Sequence, residues 1–300
     1  MSTPERPRVG IVGLGIMGSA YARNLREGGF DVVGFDVAPA AQAALAAMGG
    51  TVAASPGDVA AQADVILIAL ASVDALKAVC GGPEGLVHTI RPGVPVVEMS
   101  TFPLYAKDYC RDLFEAKGNP VLDCPVSGTG AQAAVRDLVL YASGEEAVVE
   151  RLRPMFDGFA RSTRYVGPFG SGTKLKFVAN LLVTIHNLST AEAVLMAHRS
   201  GLDLKMMFEA IRDGAGNSRM FEVRAPMMFE ECYQPAGMKF EVYMKDLDLI
   251  SDFARDMRVP TPLLAASIPF YVAALGAGRH ADDTAGLYSV LKEMSAPRGA

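Results

Sequence analysis

The chain has 300 residues, of which 50% are hydrophobic and 20% are charged, and its net charge at pH 7 is −5. This composition is that of an ordinary globular protein, and the length favours two domains over one. An acidic chain without a basic run offers no surface for a phosphate backbone, so a nucleic-acid partner is excluded.

The cysteines and histidines indicate no metal centre. The four cysteines include no C-x-x-C pair, and the four histidines lack the spacing of a metal site or a catalytic triad. Scattered thiols of this kind are typical of a reducing cytoplasm. The polar N-terminus MSTPERPR does not match a secretory signal, and the longest apolar run, Val65–Ala71, is too short to cross a bilayer. We therefore expect a cytoplasmic protein with no membrane partner.

A glycine-rich loop stands near the start of the chain. The apolar strand Arg8–Val12 runs into GLGIMG, which has the G-x-G-x-x-G spacing, and a plausible helix follows. The first glycine permits a tight turn, the second lets a pyrophosphate approach the backbone, and the third lets helix and strand pack closely. The pattern predicts a dinucleotide at the helix N-terminus. The residues predicted to bind it are Gly13, Leu14, Gly15, Ile16, Met17 and Gly18.

An acidic residue follows the second predicted strand, Asp31–Phe35. Asp36 can accept hydrogen bonds from the adenosine ribose and would repel a 2′-phosphate, and no arginine occurs in the DVAPAA segment that it opens. We therefore expect NAD as the cofactor, with NADP as the less favoured alternative. The other interpretation of Asp36 is an ordinary aspartate of a strand end or turn.

The first half of the chain continues to alternate between apolar runs and helical segments. Further strands are predicted at 64–70, 94–99, 121–124, 138–142 and 163–166, giving a mainly parallel Rossmann-type sheet of about seven or eight strands. Ligands bind at the carboxyl ends of such strands. The pairs and the loop that lie at those ends are Leu70-Ala71, Ser100-Thr101 and Ser127–Gly130.

A long segment without proline, Gly170 to Gly201, predicts one extended helix. Along it Lys176, Asn180, Thr184 and Asn187 follow three- and four-residue spacing, so they share one polar stripe. The stripe is either a solvated face or part of a site, and for an arbitrary helix the solvated face is favoured. Beyond this helix only helices are predicted. We therefore expect a nucleotide-binding domain over residues 1–167 and an all-helical domain over 168–300 that begins with the long helix.

Several of these residues suggest chemistry. Ser127, Gly128 and Thr129 offer a hydroxyl and backbone N–H groups that suit a carboxylate, although an ordinary strand-to-helix turn is equally favoured by spacing. Lys176 is a candidate general acid–base if burial and a nearby positive charge lower its pKa, with Asn180 one turn further on to hold the substrate or orient the lysine. Lys245-Asp246 is a second polar pair, which by spacing alone is a solvated ion pair.

At this point the sequence resembles the β-hydroxyacid dehydrogenase family, which includes 3-hydroxyisobutyrate dehydrogenase and tartronate semialdehyde reductase. The resemblance covers essentially the whole chain. It rests on GLGIMG, EMSTFP, DCPVSG, GSGTKLKFVAN and MKDLDL, in that order. The segments YASG, RSGLD and GNSRMFEVR make the chain most similar to the L-threonate dehydrogenase-like branch.

The resemblance implies roles for single residues. Lys176 matches the catalytic lysine, Asn180 and Ser127-Gly128 match substrate contacts, and Thr101 and Lys245 match cofactor contacts. It also implies a homodimer or homotetramer packed through the helical domain. Three positions depart from the family pattern: Thr129 replaces the second glycine of a Gly-Gly pair, Arg136 stands where a glycine is common, and Ala71 replaces a proline.

The leading hypothesis is therefore an NAD-dependent oxidoreductase that transfers a hydride between a small hydroxy acid and the cofactor, with Lys176 as general acid–base. One alternative is an imine-reductase-like enzyme on the same scaffold, in which the lysine is usually replaced. Another is a dinucleotide-binding protein without catalysis, since a fold does not guarantee a function.

Overall fold

The computed structural model describes residues 6–295. Most of the N-terminal segment interpreted above as unlike a secretory signal lies outside this range. The chain divides into two compact units between Lys176 and Phe177. The domain ranges 1–167 and 168–300 stay a prediction.

The first unit is built on a sheet of six parallel strands whose order is β3-β2-β1-β4-β5-β6. The strand order therefore reverses between β1 and β4, the kind of point at which doubly wound sheets bind their ligands. The Rossmann-type fold class predicted from the sequence is confirmed. The strands are β1 (Val9–Val12), β2 (Val32–Phe35), β3 (Thr51–Val52), β4 (Val65–Ile68), β5 (Val96–Glu98) and β6 (Val121–Asp123).

Helices cover both faces of this sheet, as its continuous apolar strands require. Side chains alternate between two apolar cores, so that Ile11 and Leu67 enter one core while Val12 and Ile68 enter the other. All four are fully or almost fully buried. The helices between the strands are α1 (Ile16–Glu27), α2 (Pro39–Ala47), α3 (Pro56–Gln62), α4 (Val73–Gly81) and α5 (Leu104–Glu115).

A second, smaller sheet follows in the same unit, so the expectation of one sheet of seven or eight strands is wrong. Pro125 has no N–H to donate, and it divides the apolar run after β6 from the next strand. An isolated bridge between Asp123 and Ser143 links the end of β6 to the second sheet. The added elements are β7 (Val126–Ser127), α6 (Gly130–Ala134), β8 (Val139–Ala142), α7 (Glu146–Phe156) and β9 (Ser162–Tyr165). In this sheet β7 and β8 are antiparallel, and β8 and β9 are parallel.

The second unit is helical, and no strand is present among its described residues 177–295. Its core gathers aromatic and aliphatic side chains around Tyr243 and Tyr271, which are both buried. The long helix enters this unit from the first. The helices are α8 (Ser171–Arg199), α9 (Leu204–Arg212), α10 (Arg219–Phe229), α11 (Phe240–Asp256), α12 (Pro262–Gly276) and α13 (Leu287–Met294).

From Asn180 onward the polar stripe of α8 is buried, which excludes a solvated face for this part of it. Asn180 donates to Asp246, the Thr184 hydroxyl lies 2.8 Å from the Tyr243 hydroxyl, and Asn187 donates to the Thr284 carbonyl at 2.9 Å. Conversely, the apolar side chains of Val178 and Leu182 are about half exposed. The helix therefore turns its polar face inward, where Asp246 and Tyr243 of α11 and the Thr284 carbonyl contact it.

Length and composition alone would also let α8 cross a membrane, and it is the one helix of the described residues that passes this test. The strongest candidate for a membrane-spanning segment is therefore α8 and not the apolar run Val65–Ala71. A core helix of a water-soluble protein passes the same test. The buried, hydrogen-bonded Asn180, Thr184 and Asn187 make α8 a core helix.

Candidate active site

The glycine loop between β1 and α1 adopts the tight geometry expected of it. Gly13 has φ of +93°, and a Cβ at this position would lie 2.2 Å from the Ala69 carbonyl oxygen of the neighbouring strand end. A Cβ at Gly18 would lie 1.9 Å from the Gly13 carbonyl oxygen. Any side chain at either position would therefore push α1 away from the sheet.

Gly15 differs from these two glycines, because a Cβ built on it meets no atom of the protein within 4 Å. Gly15 is also the N-cap of α1, and neither a side-chain cap nor an acidic residue serves the first turn of this helix. Open space and uncapped N–H groups at a helix N-terminus fit the pyrophosphate of a dinucleotide. The loop thus fits the cofactor that its sequence predicts.

We expect Gly15→Ala and Gly18→Ala to separate cofactor binding from stability. Alanine at position 15 meets no protein atom, so Tm should stay within about 2 °C of the wild type while dinucleotide affinity falls at least about tenfold. Alanine at position 18 meets the Gly13 carbonyl and should lower Tm markedly. Thermal unfolding and calorimetric titration with NAD check both. Equal affinity in Gly15→Ala and the wild type would contradict the assignment.

Asp36 joins the end of β2 to the glycine loop. Its carboxylate accepts hydrogen bonds from the N–H of Leu14 at 2.7 Å and from the N–H of Ala38 at 2.8 Å. The second of these bonds is the local turn contact of an aspartate at a strand end, so that interpretation also holds. Each carboxylate oxygen has a further lone pair, so both structural contacts leave capacity for a ribose hydroxyl.

The remaining predicted cofactor residues of the first unit also lie at strand ends. Leu70 and Ala71 follow β4, and the Leu70 N–H donates to the Ser100 hydroxyl at 2.9 Å. Thr101 comes directly after Ser100, beyond the end of β5, and is half-buried. The structure therefore brings the ends of β4 and β5 together through a serine that sequence reasoning gave no structural role.

The loop of Ser127, Gly128 and Thr129 lies between β7 and α6. Gly128 has φ of +144° and is exposed, and Ser127 is half-buried. Thr129 forms a capping box with Gln132: its N–H donates to Gln132 Oε1 at 3.0 Å, and its Oγ1 accepts from the Gln132 N–H. The Thr129 N–H is thus committed to the protein, and its hydroxyl hydrogen is the group left for a ligand.

Arg136, the other departure from the family pattern in this region, contacts α1. Its guanidinium lies 3.1 Å from the Glu27 carboxylate, and both side chains are about half exposed. A pair exposed to this degree contributes little to stability. The backbone of Arg136 has φ of +60°, which explains why glycine suits this position.

Lys176 lies in α8, six residues after Gly170, and is half-buried. The start of α8 is fixed to the first unit by Asp123, which lies at the end of β6. The carboxylate of Asp123 accepts the N–H of Thr173 and the hydroxyl of Thr173, both at 2.7 Å. Asp123 and Thr173 were not singled out from the sequence.

Behind Asp123 lies a fully buried lysine, Lys107 of α5. Its ammonium contacts Glu98, lies 3.0 Å from Asp123, and donates to the Ser100 carbonyl at 2.6 Å. Burial alone would lower the pKa of Lys107, but Asp123 and Glu98 together raise it, so the lysine stays charged. Burial raises the pKa of Glu98, against the attraction of Lys107. These charges therefore depend on one another.

In the second unit, Asn180 and Lys245 share one partner. The Asn180 amide donates to Asp246 at 2.9 Å, and the Lys245 ammonium lies 3.0 Å from the same carboxylate. The Asp246 side chain is only 14% exposed, so the pair is not the solvated ion pair that spacing favours. Asp246 holds the Asn180 amide in a fixed orientation, a role that the sequence did not reveal.

The order of the six strands and the glycine loop at the first turn define a dinucleotide-binding protein. Comparison with known proteins identifies the family to which this dinucleotide-binding protein belongs. Residues 8–167 match the family model described as the NAD-binding domain of 6-phosphogluconate dehydrogenase. Residues 170–291 match the model described as NAD-binding of NADP-dependent 3-hydroxyisobutyrate dehydrogenase.

Individual relatives match this chain over nearly its full length. L-threonate dehydrogenase of Cupriavidus necator is 31% identical over 96% of this chain and 97% of its own. NAD-dependent L-serine dehydrogenase of Pseudomonas aeruginosa is 29% identical over 97% of this chain and 98% of its own. The crystal structure of 3-hydroxyisobutyrate dehydrogenase from Salmonella typhimurium has a TM-score of 0.83 at 32% identity, covering 94% of this chain and 99% of that one.

The chain belongs to the β-hydroxyacid dehydrogenase family and, within it, to the L-threonate dehydrogenase-like branch. It is therefore an oxidoreductase that transfers a hydride between a hydroxy acid and a nicotinamide dinucleotide. The fold and the reaction class predicted from the sequence are confirmed. The roles of single residues stay predictions.

Proposed function

We propose that the protein is an NAD-dependent dehydrogenase of a small hydroxy acid and that Lys176 carries the proton of the reaction. The observation that carries this proposal is the position of Lys176 on a helix whose start is tied to Asp123 by two hydrogen bonds of 2.7 Å. A general acid–base must be held at a fixed place, and a helix anchored in the sheet provides that.

In the proposed reaction Lys176 accepts the hydroxyl proton as the substrate is oxidised and returns it when the oxo acid is reduced. NAD, when bound, supplies the hydride acceptor. The lysine is able to do this because an amine, unlike a guanidinium, exchanges its proton within the accessible pH range. The half-buried setting of its side chain supports a role other than surface charge.

The substrate carboxylate is proposed to bind Ser127, Gly128 and the hydroxyl of Thr129. Within residues 6–295, Ser127 Oγ has no hydrogen-bond partner, so the hydroxyl remains available to a ligand. The exposed Gly128 N–H adds a donor next to it. Asn180 is proposed to contact the substrate through the part of its amide that Asp246 does not engage.

The preference for NAD is proposed from Asp36. Its carboxylate at the end of β2 would repel the 2′-phosphate of NADP and accept the ribose hydroxyls of NAD. Leu70, Ala71 and Thr101, at neighbouring strand ends, and Lys245 are proposed as further cofactor contacts. Related proteins are divided on this point: one is named as NAD-dependent, whereas a solved structure 24% identical to this chain contains NADP+.

For the substrate, the related proteins define a class: L-threonate, L-serine and 2-(hydroxymethyl)glutarate are each named for one of them. All three combine a carboxylate with an oxidisable hydroxyl. We infer a substrate of the L-threonate, glycerate or 3-hydroxyisobutyrate kind. Imine reductases share the fold at 17–18% identity, which supports no activity of that kind here.

The test is NADH or NADPH formation at mildly alkaline pH with L-threonate, D-glycerate, 3-hydroxyisobutyrate, L-serine and tartrate. Turnover of one acid with a higher kcat/KM for NAD is the expected result. Asp36→Asn is the matched variant for the cofactor. It should lower the ratio of kcat/KM with NAD to kcat/KM with NADP at least about tenfold. Dinucleotide binding without turnover of any acid would favour a protein without catalysis.

We further infer a cytoplasmic homodimer or homotetramer that packs through helices of the second unit. The support is the number of large apolar side chains that this unit leaves about half or more exposed, among them Val178, Leu182, Met196 and Val242. Light scattering after size-exclusion chromatography measures the state directly. A monomer at micromolar concentration would contradict this part of the proposal.

A further inference from the structure

We propose that Asp123, Ser143 and Thr173 form an anchor that sets the position of Lys176, and that these three are positioning residues for the reaction. The inference rests on the proposed function, because it concerns the lysine assigned there as general acid–base. It concerns contacts of the first unit only, which ends at Lys176.

The anchor joins the first turn of α8 to two strand ends that are far away in sequence. Asp123 at the end of β6 accepts both the N–H and the hydroxyl of Thr173. Ser143, directly after β8, accepts the N–H of Gly172 at 3.0 Å and donates to the Asp123 carbonyl at 2.8 Å. Asp123 and Ser143 are completely buried, and Thr173 is 1% exposed.

The backbone around Gly172 leaves no room for the start of α8 to shift. A Cβ on Gly172 would lie 2.5 Å from the Tyr141 carbonyl oxygen and 2.6 Å from the Asp123 carbonyl oxygen. The start of α8 therefore touches the strand backbones directly. This contact is independent of the side-chain hydrogen bonds, and both fix the helix at the same turn.

Helix geometry transmits the anchor to the lysine. Thr173 and Lys176 are three residues apart in α8, so their side chains are neighbours on one face. A carboxylate at the N-terminus of the helix also meets the positive end of its dipole, which strengthens the contact. Any tilt or fraying at Thr173 would therefore move the Lys176 amine directly.

A buried charge fixes the anchor in turn. Lys107 is fully buried, contacts the Asp123 carboxylate, and donates to the carbonyl of Ser100. Ser100 precedes Thr101, the proposed cofactor contact at the end of β5. One ammonium group thus connects the backbone beside a cofactor contact with the aspartate that holds the catalytic helix. Lys107 therefore helps to position both the proposed general acid–base and the backbone next to a proposed cofactor contact.

The test compares Thr173→Val, which keeps the shape and removes the hydroxyl, with Thr173→Ser, which restores it. Thr163→Val is the matched control, because Thr163 is a buried threonine of the same unit whose hydroxyl has no hydrogen-bond partner within the described residues. We expect Thr173→Val to lower kcat about 10- to 100-fold with KM changed less than about threefold. Thr173→Ser and Thr163→Val should stay within about threefold of the wild type.

A second readout requires no substrate. Trace acylation of the native protein, followed by mass spectrometry of the peptide that contains Lys176, measures how readily this amine reacts. Loosening the helix start exposes a half-buried side chain, so Lys176 should react at least about threefold faster in Thr173→Val but not in Thr163→Val. Ser143→Ala removes the other contact and should act in the same direction if Thr173→Val fails to fold.

The outcomes separate the two proposals. Unchanged kcat and unchanged Lys176 labelling in both Thr173→Val and Ser143→Ala would overturn the anchor. Full activity in Lys176→Ala would overturn the proposed function, yet the labelling of Lys176 in the other variants would still decide whether the anchor holds the amine. An equal loss of kcat in Thr163→Val and Thr173→Val would reduce the effect to general destabilisation and would also overturn the anchor.

Discussion

Replacing Lys176 with alanine is expected to lower kcat by about 10²- to 10⁴-fold while dinucleotide affinity stays within about threefold of the wild type. The reason is that the amine is proposed to move a proton in the chemical step, whereas the glycine loop proposed to hold the cofactor lies elsewhere in the unit. Steady-state kinetics on the best acid of the panel and calorimetric titration with NAD measure the two quantities.

Two further lysine variants sharpen this test. Lys176→Arg keeps a positive charge but cannot release its proton at accessible pH, so it should be nearly as inactive as Lys176→Ala. Lys174→Ala is the matched control, because Lys174 is an exposed lysine two residues earlier on the same helix. An active Lys176→Arg enzyme would mean that position 176 supplies charge and not proton transfer.

Asp283→Ala is expected to destabilise the protein by about 3–5 kcal/mol, because it leaves a buried charge without its partner. Asp283 is completely buried and contacts the guanidinium of Arg224, which is 1% exposed. The same carboxylate accepts the N–H groups of Gly237, Met238 and Ala285. These contacts join α10 to the 237–238 and 284–286 segments.

The buried side chain of Arg224 makes the stability of the protein sensitive to the loss of Asp283. Its Nε and Nη2 atoms are buried and have no hydrogen-bond partner within residues 6–295, so Asp283 is its principal compensation. Asp282→Ala is the matched control: Asp282 is the adjacent aspartate, with a partly exposed ion pair to Arg279, and its loss should cost less than about 1 kcal/mol.

Urea unfolding followed by circular dichroism measures both variants, since the chain has no tryptophan to report by fluorescence. Equal stability of Asp283→Ala and Asp282→Ala would contradict the importance of the buried pair. The double variant Arg224→Met/Asp283→Asn should recover part of the loss, because it removes both charges together and keeps a side-chain oxygen to accept backbone N–H groups.

The geometry of the glycine loop was largely predictable from the sequence, because its determinants are local. The turn, the close approach and the helix start are all encoded within Gly13–Gly18, and each requirement leaves a glycine at a fixed spacing. Asp36 was predictable for a similar reason, since the end of an apolar strand is visible in the sequence. What the sequence did not show is that the Asp36 carboxylate also holds the Leu14 N–H.

The support of Lys176 was not predictable, because it depends on which residues the fold brings together. Asp123 and Thr173 are fifty positions apart in the chain. One signal was present: Lys107 lies on the buried face of α5 with Ala106, Cys110 and Phe114, and Glu98 interrupts an apolar strand. A charge at an apolar position indicates a buried partner, but only the strand order identifies that partner.

The polar stripe of α8 is a second case in which tertiary contacts limited what the sequence could predict. Spacing correctly grouped Asn180, Thr184 and Asn187 on one face of the helix, but it could not tell whether that face meets water or protein. The answer depends on Tyr243, Asp246 and the Thr284 carbonyl, which lie on elements far along the chain. The division of the strands into two sheets was likewise invisible, although Pro125 marked the place.

The continuity of α8 restricts how this protein can change in evolution. Each residue added to a helix rotates everything after it by about 100°. An insertion or deletion between Asn180 and Asn187 would therefore keep Asn180 in register with Asp246 and turn Asn187 away from the Thr284 carbonyl. Side chains in this segment are free to vary wherever they face outward, but its length is not. Descendants of this chain should accumulate insertions in the loops before and after α8, and none between Asn180 and Asn187.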